Sequence, residues 1–464
     1  MWAACRPGCR GQASRCSDRP KPNRTAPARS WRRLERRTPA LPRYHSAVAG
    51  DARGDPGRRR GPLCGSISMK HVIVIPDGAA DESLAELDGR TPLQAASLPV
   101  LTELAKRGRL GTARSIPPEM PAHSESALLS LLGYDPRQFA VARGPLEALG
   151  RGLPVDAHDA VFRCSLVTVV DGSLRDHTAG LVTSREARAL LDELNADASE
   201  EALRLHAGAG HRNLCIWRGG AAAAAQVRTT QPTDVLDQPV EAHLPRGHGA
   251  EPLLRLMERA TKLAEHDINV VRGDLGENPA NAIWLWGNGP RPELPGFAQR
   301  YGVRGAVVCG IDLLRGLGRL LGLEVLEADG ATGLIETNYP AKAQAAIDAL
   351  ERVDLVVVHV QAPDTASHLG RTADKVRALE RIDAEIVAPL ARRLQQEEAW
   401  RLLVMPAHAT PICTRRHNPG GTIFLIAGHD IESHRGERFD EASAADGELH
   451  LEQACDLMEY FLRR

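Results

Sequence analysis

Short runs of apolar residues recur along the chain, and most of them end in small or polar residues. They occupy residues 71–78, 164–170, 305–310, 353–364, 401–408 and 422–428. Near-continuous apolar runs of this length are typical of β-strands that are buried on both faces of a sheet. Between them, residues 341–353 and 373–396 repeat apolar side chains at three- and four-residue spacing, which predicts amphipathic helices. Residues 450–464 predict a further helix at the C-terminus.

The alternation of strands and helices predicts an α/β fold, with a mostly parallel sheet that carries helices on both faces. Residues 173–272 are less regular and include a Gly- and Ala-rich stretch, 219–226, which predicts a loop or spacer. We therefore expect a core of residues 69–172 and 273–464, and an inserted smaller α+β domain of residues 173–272 that covers the substrate.

The first 68 residues differ in composition from the rest of the chain. They carry fifteen Arg and one Lys against four acidic residues, and the remainder carries 42 basic and 55 acidic residues. This segment lacks the apolar region of a secretory signal, and its prolines would break the amphipathic helix of a transit peptide. We expect a disordered Arg- and Pro-rich leader, or upstream sequence before a natural start at Met69.

Composition also excludes several classes of function. The net charge of −13 after residue 68 argues against nonspecific nucleic-acid binding, which needs a basic surface. No apolar run approaches the roughly 20 residues that span a bilayer, so we expect no membrane association. Beyond residue 68 the cysteines are scattered without paired spacing, which favours reduced thiols and a cytoplasmic location.

Acidic and histidine side chains follow several of the predicted strands. Asp77 ends the first run, Asp364 ends the run 353–364, and His368 comes one helical turn later. His408 ends the run 401–408, and His417 precedes the next strand. In open α/β sheets the ligand site lies beyond the carboxyl ends of the strands. Each residue alone has an ordinary explanation as a surface or capping group, but the set predicts a site for Zn²⁺, Mn²⁺ or a similar divalent ion.

Ser124 begins an apolar helical run, and two interpretations fit it. It is the N-cap of a helix, with Glu125 as a favourable acid in the first turn. Alternatively, it presents a hydroxyl where free backbone N–H groups attract a phosphate, and a neighbouring metal ion would make that hydroxyl a nucleophile. The two interpretations are compatible.

Longer motifs extend over nearly all of the chain after residue 68. They are VIPDGAAD, GRTPLQAA, LLGYDP, ARGPLEALG, FRCSLVTV, GENPANAIWLWGNGP, GIDLLRGLG, DGATGLIETNY, HVQAPDTASH and RFDE. On these motifs the chain resembles the archaeal-type cofactor-independent phosphoglycerate mutases, members of the alkaline phosphatase superfamily. The resemblance implies an alkaline-phosphatase-like α/β fold.

The resemblance also implies two divalent ions (Mn, Zn or Mg) and no bisphosphoglycerate. It places one ion on Asp364, His368 and His417. It places the other on Asp77, on the nucleophile Ser124 and on an Asp-His pair that falls on Ala407 and His408. This chain therefore lacks one expected carboxylate, and we expect its serine-side ion to bind weakly. His123 is a candidate substitute ligand, with exposure to solvent as the alternative.

Four arginines are candidates to bind a small phosphorylated metabolite through their planar guanidinium groups. They are Arg143, Arg163, Arg272 and Arg315, the last where the family commonly has Lys. Structural ion pairing is the alternative for the first three. The resemblance implies arginines around the motif RDHTAG, where this chain has His177 and Leu181.

We expect metal-dependent phosphoryl transfer through phosphorylated Ser124, interconverting 3-phosphoglycerate and 2-phosphoglycerate in glycolysis. The RDHTAG motif is closer to a bacterial subgroup of the family proposed to be homoserine kinases, so a kinase-like phosphotransferase is one alternative. Because Ala407 replaces a ligand, a catalytically weak relative that binds a phosphorylated metabolite is the other.

Overall fold

Two β-sheets organise the part of the chain that this computed structural model describes, which is residues 69–196, 202–433 and 436–463. The predicted leader, residues 1–68, lies outside the described residues. The strands are β1 (Met69–Pro76), β2 (Arg109–Ala113), β3 (Ala160–Val170), β4 (Ser173–Asp176), β5 (Leu203–Ala209), β6 (Arg212–Trp217), β7 (Ala282–Pro290), β8 (Gly305–Val308), β9 (Glu324–Leu326), β10 (Leu355–Val360), β11 (Ala399–Val404), β12 (Thr422–Gly428) and β13 (Leu449–Leu451).

Helices connect these strands. The α-helices are α1 (Pro92–Ala95), α2 (Pro99–Arg107), α3 (Ser124–Leu131), α4 (Arg143–Gly150), α5 (Ser184–Ala196), α6 (Ala221–Ala224), α7 (Glu251–Arg259), α8 (Asp267–Asp274), α9 (Phe297–Tyr301), α10 (Asp312–Leu320), α11 (Tyr339–Ala349), α12 (Ala362–His368), α13 (Thr372–Ile382), α14 (Ala388–Leu394), α15 (Glu441–Ala445) and α16 (Cys455–Leu462). Within the described ranges, none of them is long and apolar enough to cross a membrane.

The larger sheet has the strand order β13-β2-β12-β11-β1-β10-β8-β9. Strands β11, β1, β10, β8 and β9 are parallel neighbours, and β12 is antiparallel to both β11 and β2. Along β1, Val72 and Val74 belong to one apolar cluster, and Ile73 and Ile75 belong to another. The burial of β1 on both faces explains its near-continuous apolar run. The parallel pairing of the five neighbouring strands confirms the predicted α/β fold with a mostly parallel sheet.

The second sheet is antiparallel: β3 pairs with β6 on one side and with β7 on the other, its last residues pair with β4, and β5 pairs with β6. Helices α5 and α7 cover it with apolar side chains, including Leu190, Leu191 and Leu253. Strands β3 and β7, which we expected in the core domain, belong to this sheet. The domain boundaries at residues 173 and 272 remain a prediction.

Two local expectations were wrong. The Ala-rich stretch contains a helical turn, α6, because Ala has the best intrinsic helix propensity and Ala224 is buried in the second apolar core. The terminal helix begins at Cys455 and not at residue 450, because residues 449–451 form β13 beside β2.

A break in regular helix geometry separates α13 from α14. Residues Asp383–Val387 form a π-helical stretch, and the N–H of Ala388 bonds to the carbonyl of Asp383, five residues back. Pro389 lacks an N–H and would clash with the carbonyl of residue 385 in a regular helix, so the widened turn accommodates it. The same stretch presents Asp383 to the backbone N–H groups of Val100 and Leu101 at the start of α2.

Candidate active site

The central strands of the larger sheet bring the predicted ligands together at the carboxyl ends of the strands. Strands β11, β1 and β10 are adjacent and parallel, so their carboxyl ends lie side by side. Asp77 follows β1, Asp364 and His368 lie on α12 after β10, and His408 lies in the loop after β11. The site therefore sits where ligands generally bind in open α/β sheets.

Asp364, His368 and His417 form a compact cluster in which one ligand atom from each lies within 4.8 Å of the others. His368 Nε2 lies 3.3 Å from Asp364 Oδ2, and His417 Nε2 lies 3.5 Å from Asp364 Oδ1. Each imidazole donates its Nδ1–H to a backbone carbonyl, at 2.8 Å to Arg415 and at 3.1 Å to Ala122. These bonds turn both Nε2 atoms towards the carboxylate, as in metal sites with oriented histidines.

Asp77, Ser124 and His408 form a second cluster beside the first. Ser124 Oγ lies 3.3 Å from His408 Nε2, which is 3.6 Å from Asp77 Oδ1. That carboxylate oxygen is buried and has no hydrogen-bond partner in the described part of the chain. Because burying an unpartnered charged oxygen is costly, its convergence with a hydroxyl and an imidazole nitrogen fits a cation.

The two clusters are linked through stacked rings. The rings of His408 and His417 have centroids 3.7 Å apart and an interplanar angle of 24°. The structure thus brings together all six residues predicted to hold metal, Asp77, Ser124, Asp364, His368, His408 and His417, although their metal-binding role remains a prediction.

Burial and neighbouring charges set the protonation states of the candidate ligands. Burial opposes the charge of Asp364, but His368 and His417 outweigh it and hold the pKa of Asp364 well below its usual value. Burial lowers the pKa of His408 to about 4, so this imidazole is neutral near pH 7. Burial also opposes the charge of His368, but Asp364 raises the pKa of His368 to about 8. A metal ion bound there would therefore displace a proton from His368 near neutral pH.

Ser124 is the first residue of α3, and the N-cap interpretation of it was wrong. The N-cap position is His123, whose side chain makes no capping hydrogen bond. The hydroxyl of Ser124 is therefore not used to cap the helix, and it faces His408.

Ala407 is the position where this chain lacks an expected serine-side ligand, and His123 is the candidate substitute. The ring of His123 faces Glu125, with Nδ1 3.5 Å from Oε1. Ala407 is fully buried in an apolar cluster, and its carbonyl accepts a hydrogen bond from Ser115. Its methyl group supplies no ligand, and the substitute role of His123 remains a prediction.

Arg143 and Arg163 share the carboxylate of Glu147 on α4. Arg143 donates to Glu147 Oε1 at 2.9 Å, and its NH1 lies 3.8 Å from Glu125 Oε2. Arg163 also donates to Glu147, and Trp286 packs against both guanidinium groups at 5.7 and 5.5 Å from its ring centre. Burial lowers the pKa of Arg163 to about 10. Both side chains are fixed by carboxylates, yet Arg143 remains close enough to Asp364 for the two charges to interact.

Arg272 and Arg315 are engaged in contacts of their own. Arg272 donates to Glu186 at 3.0 Å and to the carbonyl groups of Ala179, Gly180 and Asn278. Arg315 is paired with Glu327. The contacts of Arg272 match the structural alternative, and substrate binding by either side chain remains a prediction.

Sequence reasoning missed several polar residues around the site. His359 Nε2 lies 3.2 Å from Asp77 Oδ2, and both side chains are fully buried. Thr410 contacts both His408 and Asp364. His359 was hidden inside the apolar run of β10, whereas the position of Thr410 two residues after a candidate ligand was a usable signal.

At the start of β6, His211 and Arg212 are polar residues that the sequence did not single out, and they lie near His177. Burial, Arg212 and Arg163 lower the pKa of His211 to about 3. The rings of His177 and His211 lie 6.3 Å apart. These residues interact electrostatically with the cluster of Asp364, His368 and His417. Asp364 acts to raise the pKa of Arg212, and His368 acts to lower the pKa of His177.

The fold and the site together define an α/β protein with a divalent-metal site beside a serine at a helix N-terminus. A family model described as 2,3-bisphosphoglycerate-independent phosphoglycerate mutase matches residues 105–269. The protein of that name from Methanothrix thermoacetophila is 41% identical over 396 residues, which are 85% of this chain and 100% of that relative. A probable enzyme of the same name from Geobacter sulfurreducens is 38% identical over 402 residues, 85% of this chain and 100% of that relative.

Solved structures agree with these relatives. The cofactor-independent phosphoglycerate mutase from Thermoplasma acidophilum is 27% identical with a TM-score of 0.56, covering 85% of this chain and 99% of that one. The PH0037 protein from Pyrococcus horikoshii is also 27% identical, with a TM-score of 0.70 over 86% of this chain and 98% of that one. The chain belongs to the 2,3-bisphosphoglycerate-independent phosphoglycerate mutase family, and the expected resemblance is confirmed.

Proposed function

We propose that this chain interconverts 3-phosphoglycerate and 2-phosphoglycerate by phosphoryl transfer through Ser124, without bisphosphoglycerate. The proposal rests on one observation. Ser124 Oγ, His408 Nε2 and the unpartnered Asp77 Oδ1 lie close together. This group is adjacent to the cluster of Asp364, His368 and His417. The names of the relatives support the choice of substrate.

Two sets of residues would hold the metal ions. Asp364, His368 and His417 would bind one ion, and Asp77, Ser124 and His408 would bind the other. When bound, divalent ions neutralise charge on the phosphoryl oxygens and lower the pKa of a bound hydroxyl. The choice among Mn, Zn and Mg, and the number of ions bound, remain predictions.

The transfer itself needs two displacements at phosphorus. Ser124 Oγ forms a bond to phosphorus as the bond to the 3-oxygen of the substrate breaks, and the serine proton ends on that oxygen. The bound glycerate then turns, and its 2-hydroxyl takes the phosphoryl group while its proton returns to Ser124 Oγ. The position of Ser124 at the N-terminus of α3 supports this role, since backbone N–H groups there favour phosphate.

The substrate also presents a carboxylate, which needs cationic partners outside the metal cluster. Arg143 is supported by its electrostatic interaction with Asp364, and Arg212 on β6 shares that interaction. Arg163 lies against the same tryptophan as Arg143. We keep the predicted set of Arg143, Arg163, Arg272 and Arg315, with Arg143 favoured because its charge interacts with that of Asp364. A cytoplasmic location also remains a prediction.

Phosphorus NMR of the full chain with Mn²⁺ and 3-phosphoglycerate tests the proposal directly. We expect the resonance of 2-phosphoglycerate to appear without added bisphosphoglycerate and to be lost when a chelator is added. A chain that leaves 3-phosphoglycerate unchanged over the same range of Mn²⁺ concentration would contradict the proposal.

A second candidate is favoured by the imidazoles of His177, which follows β4, and His211, which precedes β6. The family resemblance implies arginines at positions 177 and 181. Burial lowers the pKa of both imidazoles, so they offer neutral partners where a phosphorylated acid would prefer cations. This is the expectation for a homoserine kinase-like phosphotransferase. The same NMR experiment with homoserine and ATP separates the two, because only a kinase consumes ATP in a homoserine-dependent way.

A further inference from the structure

Thr410 lies at the junction of the two ligand clusters, two residues after His408. Its side chain is fully buried, and its hydroxyl donates to Asp364 Oδ1 at 2.7 Å. The same hydroxyl oxygen lies 3.1 Å from His408 Nδ1. One hydroxyl therefore contacts a predicted ligand from each cluster.

The chemistry of these groups fixes the direction of both hydrogen bonds. An ionised carboxylate only accepts, so the single proton of the Thr410 hydroxyl goes to Asp364. The Thr410 oxygen must then accept from His408, which places the imidazole proton on Nδ1. In a neutral ring the other nitrogen, Nε2, carries a lone pair. That lone pair faces Ser124 Oγ at 3.3 Å and Asp77 Oδ1 at 3.6 Å.

The backbone of Thr410 is held on both sides, so its hydroxyl has a defined position. Its N–H donates to the carbonyl of Ala80 at 3.2 Å, and its carbonyl accepts from Lys375 Nζ at 3.1 Å. Lys375 also pairs with Asp81 at 2.7 Å, and both of these side chains are fully buried. The loop that carries His408 is thereby tied to the loop that carries Asp77.

We propose that Thr410 is the positioning residue of the serine-side metal site, because its hydroxyl sets which nitrogen of His408 faces Asp77 and Ser124. It also makes the two clusters interdependent, since the same hydroxyl binds Asp364. The inference rests on the metal sites of the proposed function and not on the identity of the substrate. Partners of this kind in other metal sites change metal affinity about 10–100-fold when removed.

Titration calorimetry with Mn²⁺ on the metal-free full chain tests this role. Thr410→Val keeps the shape of the side chain but removes the hydroxyl, and we expect it to weaken Mn²⁺ binding about 10–100-fold. Thr410→Ser restores the hydroxyl and should bind Mn²⁺ close to the natural protein. Thr414→Val is the matched control, since the Thr414 hydroxyl in the same loop donates only to the carbonyl of Pro411 at 3.3 Å, and it should change nothing.

Nitrogen NMR of histidine-labelled, metal-free protein measures which ring nitrogen of His408 carries the proton. If Thr410 only filled space, its replacement would leave this tautomer unchanged. The natural protein and Thr410→Ser should have His408 protonated on Nδ1, and Thr410→Val should lose that preference; His408→Gln identifies the signal. Equal Mn²⁺ affinity in the natural protein and Thr410→Val would overturn the proposal. Equal weakening in Thr410→Val and Thr410→Ser, or no Mn²⁺ binding by the natural protein, would overturn it too. Lack of mutase activity would contradict the proposed function but would leave these affinity differences measurable.

Discussion

At the scale of single residues, Ala407 is the position where this chain differs most clearly from the expected metal site. Its methyl group is fully buried next to His408, where the family resemblance implies a carboxylate. Asp77 and Asp364 are both ionised nearby, so a metal ion there still meets negative charge. The loss of one carboxylate should therefore weaken the serine-side ion without abolishing its binding.

Ala407→Asp should raise Mn²⁺ occupancy towards two ions per chain. Without metal the new carboxylate is buried beside other carboxylates, so the melting temperature should fall. Mn²⁺ should then raise the melting temperature of this variant more than that of the natural protein. Thermal melts with and without Mn²⁺, together with metal analysis, measure both effects.

Ala407→Asn is the control for this change, because it adds nearly the same volume without the charge. It should lose stability without the added response to Mn²⁺. An equal Mn²⁺ response in Ala407→Asp and the natural protein would mean that position 407 does not face the ion.

The position of the candidate ligands that follow strands could be predicted from the sequence. A carboxylate or imidazole that follows a buried parallel strand must lie near the carboxyl ends of the neighbouring strands. The position of Thr410 two residues after His408 was a usable signal, but its link to Asp364, 46 residues away in the chain, could not be predicted because it depends on the fold.

The carboxylate partners of the candidate arginines could not be predicted either, because the pairing of Arg272 with Glu186 and of Arg315 with Glu327 depends on the tertiary fold. Substrate binding by these two arginines remains a prediction.

At the scale of elements, the packing of α4 against α10 sets the position of Arg143. A Cβ at Gly316 would lie 1.7 Å from the carbonyl oxygen of Leu146, and one at Gly150 would lie 2.0 Å from that of Asp312. Glycines at these two points let the helix backbones touch. Arg143 is the first residue of α4, so a shift of this helix would move its guanidinium group away from Glu125 and the metal cluster.

Gly316→Ala should destabilise the protein by about 1–3 kcal/mol, because a backbone carbonyl has to move to make room for the methyl group. Gly273→Ala in α8 is the matched control. A Cβ there meets nothing within 4 Å, so it should stabilise the protein by about 0.4–1 kcal/mol. Chemical unfolding of both variants measures these changes, and a neutral Gly316→Ala would contradict the close packing of the two helices.

The strands that could be predicted are those whose apolar pattern fits only a strand buried on both faces. The buried strands β1, β8, β10, β11 and β12 have near-continuous apolar runs and were predicted. Short strands such as β4 and β13 pair at the sheet edge with mixed polar residues, so their sequences carry little signal. The antiparallel pairing of β3 was also not predictable, because its apolar run resembles that of a parallel strand.

At the scale of the whole molecule, the two sheets and the candidate site that the structure describes are built from residues after residue 68. Both sheets and all candidate ligands lie in the described ranges, and the relative from Methanothrix thermoacetophila is matched over its entire length by 85% of this chain. The first 68 residues have no apolar periodicity with which to join a core.

A chain that starts at Met69 should therefore keep the melting temperature and the activity of the full chain. Calorimetry and phosphorus NMR on both proteins, at equal Mn²⁺ concentration, measure the comparison. A melting temperature several degrees lower in the shortened chain would contradict this expectation and would assign a structural role to the first segment.

The central claim is that Ser124 carries the phosphoryl group, and mass spectrometry after rapid acid quenching tests it most directly. The metal-loaded chain is mixed with 3-phosphoglycerate, quenched, and analysed intact and as peptides. We expect the peptide that contains Ser124 to gain the mass of one phosphoryl group in the natural protein. The control Ser126→Ala, which changes a buried serine two positions along α3, should show the same adduct. Ser124→Ala should show neither the adduct nor turnover. Full turnover in Ser124→Ala, or an adduct on another residue, would contradict the account.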